Sequence, residues 1–273
     1  GTFSGTIMDG GNLTKDGPAT LTLTGPSSYT GITTVDAGIL SVASSGALGT
    51  SNVTVTSGAT LNIADGVALT SPSSINLAGT GVTRSGASVG ALTGTGTASY
   101  SGNLVLSGVT GIGAALGDTL TLGGSRSGAG SLTKLGDGTV VLGGSASYAG
   151  GTTVDAGVLT AGNATALGTA GTVTVKSGGT LNIADGITLA AGTPISLYGT
   201  LRGTGTAGYA GPVTLEAASA RIDTPLAGDT LTLSAAMDGR GSLTKSGAGT
   251  LKLSGANSYT GSTAINGGTV FLN

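Results

Sequence analysis

Gly241-Ser-Leu-Thr-Lys-Ser-Gly-Ala-Gly-Thr-Leu-Lys-Leu-Ser-Gly-Ala-Asn-Ser-Tyr-Thr-Gly261 decides the fold, because the chain states it three times. Gly11-Asn-Leu-Thr-Lys15-Asp-Gly17 and Gly130-Ser-Leu-Thr-Lys134-Leu-Gly136 open the other two copies. Each is followed by a tyrosine (Tyr29, Tyr148, Tyr259) and a Thr-rich run: Thr33-Thr-Val-Asp-Ala-Gly38, Thr152-Thr-Val-Asp-Ala-Gly157 and Ser262-Thr-Ala-Ile-Asn-Gly267. A recurrent unit of this kind signals stacked modules that bury their apolar faces on one another, not a globular core closed round a pocket.

The lysines at 15, 134 and 245 set the period, at 119 and then 111 residues. Register between the first two copies holds through Thr60-Leu-Asn-Ile-Ala-Asp-Gly66 and Thr180-Leu-Asn-Ile-Ala-Asp-Gly186. It is lost by Gly94-Thr-Gly96 and Gly203-Thr-Gly205. The extra residues therefore fall in Gly81 to Ala91, and an insertion that leaves its flanks intact belongs on a projecting loop. Between the copy boundaries the pattern is strand, turn, strand. Leu21-Thr-Leu23, Val53-Thr-Val55, Leu61-Asn-Ile63 and Leu120-Thr-Leu122 alternate apolar and small polar residues, with Gly, Asn, Asp and Ser between them. No helical period persists. Gly is 55 of 273 residues, hydrophobic content is 38% and charge is 8%, with 6 Tyr, 2 Phe and no Trp. Collagen is excluded by the glycine spacing, and the apolar content is too high for a simple disordered chain. A narrow interior of Val, Ile, Leu, Ala and Thr ladders fits. The expectation is an all-β parallel solenoid of roughly a dozen coils of about 20 to 25 residues, about 60 Å long at the inter-strand spacing. It forms one continuous domain over 1–273, with copies at about 10–128, 129–239 and 240–273. The chain opens in mid-period and closes just after the strand Thr269-Val-Phe-Leu-Asn273, so it reads as a stretch of a longer array.

The chemistry available is restricted. There is no His and no Cys, which removes Ser-His-Asp and thiol catalysis and the commonest metal ligands. No cofactor motif stands up. Gly94-Thr-Gly96 lacks the third glycine and the helix of a dinucleotide site, and the RTX calcium pattern is missing. The ten basic residues are scattered and the net charge is −2, against nucleic acid as a partner. No apolar run is long enough for a membrane helix. Asp65 and Asp185, each before Gly, read as turn residues. Glu216 and Asp223 are the remaining pair to weigh for glycoside chemistry. Lys15, Lys134 and Lys245 are expected at exposed strand ends, where charge blunts side-to-side pairing or contacts acidic sugars. Tyr29, Tyr148 and Tyr259 are read as rings packed on turns with hydroxyls reaching water, or alternatively as sugar-stacking or inter-chain contacts. These six are the candidate repeated surface contacts.

The segment Gly239 to Leu272 resembles the autotransporter-associated β-strand repeat found in autotransporter passengers and other large exported bacterial surface proteins. Gly10 to Val42 and Ala129 to Leu159 resemble it with substitutions: Pro18-Ala19 at the second Gly-x-Gly step, and Ala149 after Tyr148. The resemblance implies a right-handed parallel β-helix that is extracellular or displayed on a bacterial surface. It implies no particular activity. The expected role is structural, not enzymatic: an adhesin stalk or extracellular-matrix fibre that associates with itself end to end or laterally, or with cell-surface or matrix glycans. The alternatives are a carbohydrate-binding or carbohydrate-cleaving β-helix, which requires acids and aromatics in one lateral groove, and an inert scaffold for an activity elsewhere.

Overall fold

The computed structural model describes residues 1–272, so Asn273, the last residue of the expected terminal strand, lies outside the described residues. The described chain contains no helix and winds into a parallel β-solenoid of about 13 turns. Short strands of β-branched and aliphatic residues form because alternate side chains point in and out, and only the inward ones must be apolar. Leu13 stacks on Thr33, Thr33 on Val53, Val53 on Ile75, Ile75 on Leu104 and Leu104 on Arg126. On this face a turn takes 20 to 22 residues, except for the 29 from Ile75 to Leu104 that hold the insertion, and elsewhere it ranges from 18 (Ile195 to Val213) to 24 (Val213 to Met237). At the usual spacing of about 4.8 Å per turn the rod is about 60 Å long.

Three faces surround the interior. The first carries Leu13–Lys15, Thr33–Val35 and Val53–Val55. It resumes beyond residue 146 as Thr188–Leu189, Thr206–Tyr209, Thr230–Leu233, Thr250–Leu253 and Thr269–Leu272. The second carries Thr20–Leu23, Ile39–Val42, Thr60–Ile63, Leu92–Gly94, Ser131–Leu135 and, higher up, Ile195–Leu197 and Val213–Leu215. The third carries Thr97–Tyr100, Thr119–Leu122, Thr139–Leu142, Thr200–Gly203 and Arg221–Asp223. Long strands such as Asn103–Ala114 and Thr152–Ala161 run round a corner and belong to two faces. The interior is one continuous apolar cluster. On the second face Leu40, Leu61, Leu92 and Ile112 form an uninterrupted buried ladder.

The repeat and the turn are not commensurate. Five turns above Leu13 on the first face lies Arg126, and the second copy then begins one face later, with Leu132 and Lys134 above Thr110 and Ile112. Five turns above Leu132 lies Met237, and the third copy begins one face later again, with Lys245 stacked on Ile222. Each copy therefore occupies five and one-third turns, and the three copies start on three different faces.

The extra residues lie where the loss of register places them, and the expected projecting loop is a short hairpin. Thr83–Arg84 pairs antiparallel with Ala87–Ser88 across Ser85 and Gly86, both at positive φ. This is the two-residue turn whose twist suits a hairpin.

Candidate functional site

The repeated lysines do not lie at exposed strand ends, which corrects the sequence reading. Lys134 and Lys245 are fully buried and Lys15 nearly so. Each Cα stands in an interior ladder, Lys134 between Ile112 and Val154. The side chain runs to the end of its strand, where the ammonium meets three carbonyls. Lys134 Nζ donates to Leu135 O at 2.9 Å, Gly136 O at 2.6 Å and Ala156 O at 3.1 Å. Lys15 donates to Asp16, Gly17 and Ala37 carbonyls at 3.1, 2.7 and 2.9 Å. Lys245 donates to those of Ser246, Gly247 and Gly267 at 2.6, 3.0 and 3.2 Å. Three donors meet three acceptors, two from the lysine's own turn and one from the turn above, so the ammonium fastens adjacent coils. The following Lys-x-Gly glycine sits at φ +79, +73 and +77 in the three copies, which the turn needs and an L side chain resists.

The repeated tyrosines are not outward contacts either. Tyr29 and Tyr148 are buried, and Tyr259, in the last turns described, is half-buried. The hydroxyl bonds the Thr four residues on: Tyr29 to Thr33, Tyr148 to Thr152 at 2.6 Å and Tyr259 to Thr263 at 2.6 Å. Gly49 and Gly168, from the recurrent Leu-Gly-Thr, lie against the rings of Tyr29 and Tyr148, where a Cβ would collide. Asp65 and Asp185 occupy turns, each accepting one backbone N–H from the next coil, Thr97 at 2.8 Å and Thr206 at 2.7 Å. Glu216 and Asp223 are not brought together. Glu216 follows the second-face strand Val213–Leu215 and accepts from Ser196, whereas Asp223 sits on the third face between Arg202 Nε at 2.9 Å and Ser246 Oγ at 3.0 Å. Among the described residues no group of acids could hold a metal ion, and no helix is long and apolar enough to cross a membrane.

One interior charge has no counterpart in the sequence reading. Arg126 is wholly buried, donating to the carbonyls of Leu122 at 3.4 Å, Gly124 at 3.0 Å and Gly144, and its Nε has no partner. Burial lowers the Arg126 guanidinium to about 10, with Tyr148 opposing. Burial lowers Lys134 to about 8 against Asp137 and Asp155, and lowers Lys245 against Asp223. It pushes Tyr148 up to about 12, against the Thr152 hydrogen bond and Arg126, and raises Tyr100 and Tyr209 too. Between about 8 and the ordinary lysine value of 10.5, the unfolded chain holds more protons at Lys134 than the folded one, so stability rises with pH there. The tyrosines have the opposite sign above about 10: the folded state keeps protons that the unfolded state loses. Denaturant unfolding across pH should thus show stability climbing from about pH 8 to about pH 10 and falling beyond. In Lys134→Met part of the climb should vanish. A stability that is flat between these limits would contradict the assignment.

A trough of about 1090 Å³ lies on the outer side of the second face. Its floor is a hydrogen-bonded ladder of small polar side chains: Asn62 Nδ2 donates to Ser41 Oγ at 3.1 Å, and Thr93 Oγ1 donates to Asn62 Oδ1 at 2.9 Å. One wall is the inserted hairpin, with Arg84 and Ser88, and Asp137 lies at the opposite rim. The hairpin is fixed at its base. Buried Thr60 Oγ1 donates to Gly90 O at 2.8 Å and accepts from Val82 N at 3.0 Å. Val89 O lies where a Cβ on Gly113 would be.

Comparison with known proteins agrees with the geometry of the repeat. Residues 13–42, 132–161 and 243–270 each match the passenger-associated-transport-repeat. The adhesin BmaC autotransporter of Brucella suis biovar 1 (strain 1330) is 39% identical over 189 residues, which cover 63% of this chain and 5% of that protein. This chain therefore corresponds to a small part of that relative's length. No solved structure matches. The matched segments contain the caged lysines and their Tyr–Thr partners, one set starting on each face of the solenoid: the chain carries the autotransporter passenger-associated-transport repeat in three copies.

Proposed function

We propose that this chain is a rigid spacer within a secreted or surface-displayed bacterial adhesin-type passenger, with a mechanical and not an enzymatic role. The observation that carries this reading is the coincidence of three passenger repeats with one continuous apolar cluster that links the turns of a solenoid of about 13 turns. Axial backbone hydrogen bonds and inward ladders make such a stack stiff, and nearest-neighbour contacts let it extend by adding turns. The adhesin relative supports the surface setting. The repeated polar side chains support the mechanical role: caged lysines and tyrosine–threonine pairs tie coil to coil, so what the repeat preserves in this chain is cohesion. The test is antibody labelling of intact cells with serum raised against this segment, paired with an in-frame deletion of it in the parent gene. Labelling of unpermeabilised cells, with the distal part of the parent displayed closer to the membrane after the deletion, is the expected result. Labelling only after permeabilisation would sink the surface reading, and unchanged display distance would sink the spacer role.

A further inference from the structure

We propose that the trough beside the inserted hairpin binds a neutral, hydroxyl-rich glycan chain lying along the rod axis. The inference rests on the surface-passenger reading for its biological setting and on the first copy's own residues for its chemistry. The two copies differ here in a revealing way. In the first, the outward residues of successive rungs are Asn62, Thr93 and Gly113. In the second, the equivalent rungs on the third face carry Asn182, Arg202 and Asp223, with the last two ion-paired at 2.9 Å. Where the second copy fills its outer face with a charged pair, the first has a threonine, a bare glycine and a hairpin seated over that glycine. The result is a neutral floor beside a raised wall.

The floor has hydrogen-bonding capacity to spare. Ser41 accepts from Asn62 and retains its O–H, Asn62 retains one amide hydrogen, and Thr93 retains its lone pairs. The groups repeat at the rung spacing of about 4.8 Å along the axis, so they present alternating donors and acceptors to an extended polyhydroxylated ligand. A peptide adding as a strand is disfavoured, because the floor strands are interior members of the ladder with neighbours on both sides, not sheet edges. An anionic ligand is disfavoured as well. Asp118, Asp137 and Asp155 line the trough against Arg84 and Lys176, and Lys176 is paired with Asp155 at 2.5 Å. No tyrosine lines it, so recognition relies on hydrogen bonds without ring stacking, and avidity in the parent would come from repeated display.

The test presents the purified chain to a printed array of linear neutral and acidic oligosaccharides, then titrates a retained neutral glycan against three variants. Thr93→Arg imports the second copy's residue into the floor and should weaken binding ten-fold or more with unchanged thermal unfolding. Asn62→Ala, which adds no bulk, should weaken it several-fold. Arg202→Thr, on the other face, should leave it unchanged. Retention of acidic glycans only, of no glycan, or equal binding by Thr93→Arg and the native chain would overturn the proposal. Failure of the array with cells still labelled at their surface removes the trough's role alone. Retention without surface labelling removes the spacer reading alone.

Discussion

Lys134→Met is expected to destabilise the solenoid by about 1–3 kcal/mol, because the carbonyls that the ammonium serves lose their donors while no charge is left behind. Methionine replaces the aliphatic stem well, so the loss is not one of volume. It is the loss of three donors. The carbonyls of Leu135, Gly136 and Ala156 all face Nζ, two of them directed there by a turn that Gly136 holds at φ +73. A thioether donates nothing, but Leu135 and Ala156 are only half-buried and Gly136 is exposed, so water replaces part of the lost donors and the total stays near the cost of one unpaired buried group, about 1–3 kcal/mol. The damage should be local to two coils. Hydrogen exchange should therefore accelerate first at Lys134–Asp137 and at Asp155–Gly157, in keeping with a stack whose units contact only neighbours. The matching control is Lys252→Met on the exposed outer face, expected to change stability by less than about 0.5 kcal/mol. Equal effects from the two would show that the cage contributes nothing.

Arg126→Met should act in the opposite direction and stabilise by about 1–4 kcal/mol, the range found when buried ionic groups give way to packed apolar ones. The molecule carries its own precedent. Arg126 stacks on Leu104 at the fifth turn of the first copy, and Met237 stacks on Val213 at the fifth turn of the second. Met237 is fully buried and satisfied by packing, whereas Arg126 keeps an unpartnered Nε and is held by burial below its ordinary pKa. Leu122 O already accepts from Gly143 N, so it loses little when the guanidinium goes. The unfolding midpoint in denaturant should rise in Arg126→Met. A fall comparable to that of Lys134→Met would mean that the guanidinium is a fastener like the lysines.

The contrast between these two side chains marks what could be read from the sequence. Strand positions, the parallel stack and the site of the insertion follow from alternation and from the point where Thr60–Gly66 and Gly94–Gly96 lose their common offset, because period and register are one-dimensional properties. The destination of a lysine side chain is not. Lys15, Lys134 and Lys245 occupy the inward phase of the alternation, which by itself predicts burial, yet charge argues for the surface. What resolves the conflict is the Lys-x-Gly turn, whose carbonyls curl back on the ammonium, together with one carbonyl from the coil above, some 22 residues away. The burial of Tyr29 and Tyr148 is obscured for a related reason: the glycine that makes room for each of these two rings lies a full turn later in the chain. The trough was hidden because it depends on which rungs share a face, and the face changes by one-third of a turn between copies. Glu216 and Asp223, close in sequence, are separated because they lie on successive faces of one turn.

The absence of native cysteines allows that advance of one-third of a turn to be tested by crosslinking. Arg221 and Thr244 are in register on adjacent rungs, although they belong to different copies. At a rung spacing of about 4.8 Å they fall within the separation that a disulfide bridges. Oxidation of the double variant Arg221→Cys/Thr244→Cys should therefore give an intramolecular crosslink, whereas Thr214→Cys/Thr244→Cys should give none, because Thr214 is covered by Asp238 on the second face. Bridging in the second variant and not in the first would mean that the third copy starts on the same face as the second, and would contradict the architecture.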